Sequence, residues 1–180
     1  MRIIAGSRKG ARIFAPKCAD TRPTGDRVRE AVFNLVGPVE GAEVLDLYAG
    51  SGGMGLEALS RGAARVTFVE ADRAAAEAIL KNLDRLRLDG AVVLREDAAR
   101  KLAADAAGGR RYDLVLVDPP YRMLASIQPM LAARLPAVLA PGGLVVVESA
   151  VCEEPELPLP LVTSRRYGSA RVTLFEGGAA

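Results

Sequence analysis

A chain of 180 residues, half of them apolar and about a quarter charged, has the composition of a soluble globular domain able to bury a sizeable core. It has no histidine and only two cysteines, Cys18 and Cys152, which excludes a histidine-based triad, a histidine-dependent metal site and a histidine general base; no metal is expected. The net charge of +2 is uneven: residues 1–30 carry eight basic and three acidic side chains, and the rest carry sixteen basic and nineteen acidic ones, which points to a polyanionic partner for the basic end.

No apolar run approaches the ~20 residues of a membrane-spanning helix. The opening MRIIAGSRKGARIF lacks a signal-peptide core, and Gly6 and Gly10 break the amphipathic helix of a transit peptide, so a cytoplasmic location is expected. Arg2–Ala5 and Ala11–Phe14 flank Gly6–Gly10 as a β-hairpin with a basic tip. One domain over 1–180 is expected, with 1–23 as a basic hairpin or arm. Thr24 can cap a helix from Asp26 to Val36, whose apolar face is Val28, Ala31, Val32 and Leu35.

Val44–Tyr48 is a short apolar strand interrupted by Asp46, followed by glycines at 50, 52, 53 and 55 and the helix former LEAL at 56–59. Strand, glycine turn and helix open a nucleotide-binding α/β unit, because glycine admits a ligand close to the backbone and the helix start offers free N–H donors. Gly50-x-Gly52-x-x-Gly55, with Glu70 twenty residues after Gly50, fits a dinucleotide such as NAD. Asp46 fits S-adenosylmethionine better, since a carboxylate there suits a cationic methionine moiety and not a pyrophosphate. A tight turn without a ligand is the third reading.

Further on, Arg65–Glu70, Ala91–Leu94, Tyr112–Val117 and Leu144–Glu148 read as strands. Helices are expected over Ala74–Leu86, Ala98–Ala106 and Ile127–Leu139, the last with Pro129 near its start and Pro136 bending it. Val162–Tyr167 and Arg171–Phe175 close the chain as a hairpin around Gly168. The alternation implies a mostly parallel sheet covered on both faces, with ligands at the C-terminal strand ends. Asp46, Glu70, Asp97 and Asp118 stand at four successive strand ends and read as the rim of one cleft.

Asp118-Pro119-Pro120-Tyr121 discriminates between the coenzymes. Two prolines remove two N–H donors and fix an extended turn, so the Pro119 carbonyl and the Asp118 carboxylate can both accept from one NH₂ group. Tyr121 offers a flat face to a base. This turn resembles the (Asp/Asn)-Pro-Pro-(Tyr/Phe) motif of methyltransferases that modify exocyclic amines. With MRIIAGSRKG, TRPTGDRVREAVFN, LDLYAGSGGMGLEALSRGA and FVEAD, it resembles the family of 16S rRNA guanine-N2 methyltransferases, across Met1–Tyr121 and again at Tyr167-Gly168. Two departures are Tyr48, where the family often has phenylalanine, and Gly25, where a hydroxyl residue is usual.

The resemblance implies a Rossmann-like class I S-adenosylmethionine-dependent methyltransferase, with a mostly parallel seven-stranded sheet and an N-terminal β-hairpin extension. Asp46, Tyr48, Gly50, Ser51 and Gly52 would lie around the methionine part of the donor, with Glu70 on the ribose and Asp97 at the adenine amine. Asp118, Pro119, Pro120 and Tyr121 would hold the flipped guanine, guanine 966 by that likeness. The implied partner is 16S rRNA within the small ribosomal subunit or an assembly intermediate, with no membrane and no metal. Arg8, Lys9, Arg12, Arg22 and Arg27 are the expected RNA contacts. A DNA adenine-N6 methyltransferase and a small NAD-dependent reductase are the alternatives.

Overall fold

A computed structural model describes residues 1–15 and 25–178; Cys18, Arg22 and Thr24 lie outside the described residues. The centre is one seven-stranded sheet built from β1 (Glu43–Leu47), β2 (Arg65–Val69), β3 (Ala91–Leu94), β4 (Tyr112–Val117), β5 (Leu139–Ala150), β6 (Leu161–Tyr167) and β7 (Ala170–Glu176). Their order is β3-β2-β1-β4-β5-β7-β6, parallel except at β7, which runs antiparallel to both neighbours. The chain reverses direction across the sheet between β1 and β4, the switch point where open α/β sheets bind ligands.

Helices α1 (Asp26–Val36), α2 (Gly53–Ser60) and α3 (Arg73–Leu86) cover one face, and α4 (Ala98–Ala107) and α5 (Leu124–Val138) cover the other. The inner strands are apolar on both sides: Val44, Val66, Leu114, Leu116 and Val146 pack with Ile79 and Val32, while Leu45, Val115, Val117 and Val145 pack with Leu102 and Leu135. This double burial is what makes such strands read as continuous apolar runs.

Most expected boundaries fall within a few residues, and three differences have physical causes. Tyr48 leaves β1 because its φ is +58°, outside the extended region. α5 starts at Leu124, so Pro129 sits in the second turn and not at the start; Leu124, Leu131, Leu135 and Val138 form a buried stripe that offsets the lost backbone bonds. Strand β5 begins at Leu139, five residues early, with a register shift opposite Tyr112 and Leu114. Gly25 gives α1 no side-chain cap, and Asp26 supplies the acid of its first turn.

The N-terminal hairpin is narrow: Arg2 and Arg12 form a single antiparallel bridge, flanked by bonds from Ile3 N to Ala11 O and from Ile13 N to Met1 O. Its side chains Ile3 and Ile13 are buried in the core under α1 and α2. Among the described residues no helix is long and apolar enough to cross a membrane.

Candidate active site at the C-terminal rim of the sheet

Parallel pairing aligns Leu94, Val69, Leu47, Val117 and Val147 across five strands. The residues that follow them therefore emerge on one rim, and Glu70, Asp97, Asp118 and the glycine turn are brought together there.

The turn after β1 is held from below. Asp46 is 1% exposed, inside β1, and its Oδ2 accepts from the Gly55 N–H at 2.9 Å. A Cβ on Gly55 would lie 2.3 Å from the Phe68 ring and 2.8 Å from Asp46 Oδ2, so that glycine is required by packing. Gly52, at φ +84°, is the left-handed residue that starts α2. Burial pushes the Asp46 carboxyl up to about 8, and the charges of Asp118 and Glu70 push it the same way against the Gly55 bond. The reading of Asp46 as a strand-end residue of the rim is thereby corrected: it lies within β1, beneath the turn, and supports the turn through Gly55.

Glu70 grips the turn from the side. Its Oε2 accepts from Gly50 N at 2.7 Å and its Oε1 from Asp72 N at 2.8 Å; each oxygen keeps a second lone pair for an incoming hydroxyl. Asp97 lies three residues beyond β3 and caps α4 through Ala99 N and Arg100 N. Tyr48 faces it: burial first, and then the Asp97 charge, raise its hydroxyl to about 12. Ser51 contributes its carbonyl, which accepts from Asn82 Nδ2 at 3.1 Å.

Asp118 leaves β4 beside β1, its N–H donating to Leu47 O at 3.5 Å. Pro119 is buried, Pro120 is half-buried, and Tyr121 opens a short 3-10 turn, Tyr121–Met123. The Tyr121 hydroxyl donates to Glu148 Oε1 at 3.4 Å. Glu148 was missed from sequence, although it ends an apolar strand segment just as Glu70 follows one. Asn82 and Glu57 were also missed, because each lies on a helix with no local mark of its partners.

The expected RNA contacts separate. Lys9, Arg12 and Arg27 are exposed. Arg8 does not form a basic tip: its guanidinium donates to the Leu86 and Arg87 carbonyls at the end of α3, where a cation suits the free carbonyls.

Three carboxylates, Asp46, Glu70 and Asp118, converge on the glycine turn, with Asp46 driven toward neutrality by burial first and by the other two charges after it; such a rim repels a pyrophosphate and suits a sulfonium and an ammonium. The residues present therefore fit S-adenosylmethionine. Fold and rim together define the Rossmann-like S-adenosylmethionine-dependent methyltransferase class. A putative S-adenosylmethionine-dependent methyltransferase from Streptococcus mutans shares this fold at a TM-score of 0.70 and 15% identity, over 83% of this chain and 48% of that one.

Residues 1–176 match the family model described as Conserved hypothetical protein 95. The chain is 39% identical to the putative rRNA methyltransferase YlbH of Bacillus subtilis (strain 168), over 98% of each. It is 45% identical to the ribosomal RNA small subunit methyltransferase D of Escherichia coli (strain K12), over 68% of this chain and 61% of that protein. The solved structure of the putative methyltransferase yhhF from Escherichia coli matches at a TM-score of 0.85 and 35% identity, covering 100% of this chain and 99% of that one. The chain belongs to this family, that of the ribosomal RNA small subunit methyltransferase D proteins.

Proposed function

We propose that this chain methylates the exocyclic N2 amine of one guanine of 16S rRNA, guanine 966 by likeness to its family, within the small subunit or an assembly intermediate. The observation that carries the reading is the Asp118–Tyr121 turn, standing at the end of β4 beside the glycine turn and its carboxylates. Asp46, Tyr48, Gly50, Ser51 and Gly52 would surround the methionine part of the donor, Glu70 would take the ribose hydroxyls and Asp97 the adenine amine. When bound, S-adenosylmethionine supplies an electrophilic methyl group on a sulfonium sulfur.

The chain's own residues act on the amine. A guanine N2 is a poor nucleophile because its lone pair is delocalised into the ring. The Asp118 carboxylate and the Pro119 carbonyl accept its two N–H groups and favour a pyramidal nitrogen. The carboxylate also stabilises the positive charge developing there. Tyr121 stacks on the base, and the Glu148 bond fixes the ring's tilt. Pro120 keeps the turn extended. Holding the amine ~3–3.5 Å from its target supplies the remaining advantage by orientation. The extra proton leaves to water, so no histidine is needed.

The test is single-turnover transfer of tritiated methyl to small subunits from a strain lacking the gene, followed by nucleoside analysis. Asp118→Ala is expected to lose roughly 10²–10³-fold, the scale of removing one preorganised hydrogen-bonding group. Asp118→Asn should lose less, because an amide oxygen still accepts. Donor affinity should hold in both. Full activity in Asp118→Ala would remove the turn from the reaction. Label on a nucleoside other than N2-methylguanosine would overturn the position, and no label in the subunits together with transfer to adenine in a parallel assay on duplex DNA would favour the DNA enzyme.

A further inference from the structure

We propose that the C-terminal end of β6, carrying Arg165 and Arg166, is a second contact surface for RNA backbone phosphates, on the substrate side of the rim. The inference rests on the rRNA reading above and adds a place to it. β6 runs antiparallel to β7 and therefore parallel to β5. Its end lies on the same rim as Asp118. The register runs from Glu148 through Val172 to Arg165 and from Ser149 through Arg171 to Arg166. Three strand spacings of about 4.8 Å put the two arginines about 14 Å from the end of β4, within reach of phosphates flanking a base held at Asp118.

Both arginines are exposed, and they leave the edge on opposite faces because successive strand residues alternate. Arg165 shares a face with Val172, which belongs to the core under α1. α1 lies on that face with its first turn at the rim: Arg29 Nη1 is 3.4 Å from where a Cβ on Gly53 would be, and Phe33, a turn later, carries the Arg61 guanidinium at 4.7 Å near the far end of α2. The exposed Arg27 thus joins Arg165 on the same corner. Charge that served only to protect a bare sheet edge would be spread along it. Here Leu161 is 61% and Val162 50% exposed at the far end, and both cations are gathered at the rim end. A polyanion crossing the rim is the occupant that such placement complements.

The test measures the salt dependence of binding to undermethylated small subunits for the full chain, with Arg165→Ser/Arg166→Ser compared to wild type. Arg111→Ser, an exposed cation at the opposite strand ends, is the control. The double variant should lower the slope of log K against log salt by about one to two units. It should raise KM for the subunit, leave donor affinity and the single-turnover rate at saturating subunit intact, and be rescued by Arg165→Lys/Arg166→Lys. An unchanged slope, or an equal fall in the Arg111 control, would overturn the proposal. So would a wild-type dimer in light scattering that the double variant dissolves, since the edge would then pair with a second copy. A wild-type chain with no salt-dependent subunit binding would overturn the rRNA reading itself, and this surface with it.

Discussion

The two ends of the chain meet the nucleotide-binding sheet in opposite ways: residues 1–15 pack against α2 and α3, outside the sheet, and the β6–β7 hairpin extends it. Residues 1–15 carry four basic side chains and no acidic one, yet part of that charge is engaged inside the fold. Arg2 pairs with Asp26, Arg8 closes the end of α3, and Arg29, on α1 beyond this N-terminal strap of residues 1–15, is 0% exposed, with its Nη2 on Arg2 O and Asp26 and its Nε 3.9 Å from Glu57. The β6–β7 hairpin carries fewer cations, but Arg165 and Arg166 project into solvent. Positive charge near the N-terminus is therefore partly a fastening, as is the buried Arg171 within the hairpin, which meets Glu154, Ser164 Oγ and Val151 O, whereas Arg165 and Arg166 are open to a partner. A count of charges along a sequence does not separate the two; burial does.

Two buried polar side chains add to the fastening. Glu57, fully buried on α2, accepts from Ile4 N at 2.7 Å, Ala5 N at 2.9 Å and Arg61 Nε at 2.8 Å. Asn82, on α3, receives Phe14 N on its oxygen, and its amide donates to Phe14 O and to Ser51 O in the glycine turn. The strap is thus tied to α2, the helix that follows the coenzyme turn, and, through one amide, to the turn itself.

Three substitutions sharpen this contrast. Glu57→Ala has the largest expected effect: it removes the buried carboxylate between Arg29 and Arg61 and strands two backbone donors, a change on the order of 3–5 kcal/mol, read as a lower urea midpoint. No comparable loss is expected for Arg165→Ser, and equal stability of the two variants would erase the distinction. Asn82→Ala comes next, at about 1–3 kcal/mol for the polar groups left unpaired. It should also weaken donor binding in calorimetry because Ser51 loses its support; donor affinity equal to wild type would mean that the strap and the turn are independent. The smallest effect is the comparison of Arg8→Ala with Lys9→Ala. Removing the cation at the end of α3 is expected to lower stability by about 1 kcal/mol, with little change in the salt slope of subunit binding, and Lys9→Ala should do the reverse. A steep loss of salt slope in Arg8→Ala would return that residue to the RNA surface.

The elements were legible because their signals are local. Ala91–Leu94 and Tyr112–Val117 are apolar runs of strand length between polar breaks, and α1 carries its 3.6-residue stripe; the structure gives the same bounds for all three. The rim was legible for a related reason: an acid directly after an apolar strand marks the C-terminal edge of a parallel sheet, which located Glu70 and Asp118. Glu148 carried the same mark and was passed over.

What the sequence determined by itself is the order of strands and helices, the glycine turn, the Asp-Pro-Pro-Tyr turn and the family to which they belong, since each is written within a dozen neighbouring residues. The tertiary structure alone decided that Asp46 lies beneath the turn, that Arg8 and Arg29 are fastenings, that Asn82 joins strap to turn, and that Arg165 stands in register with Glu148 at the rim. These facts depend on partners 9 to 79 residues away for the first three side-chain sets and on strand register for the last. Whether a charge is buried or free is set by what packs over it, and no local pattern records that.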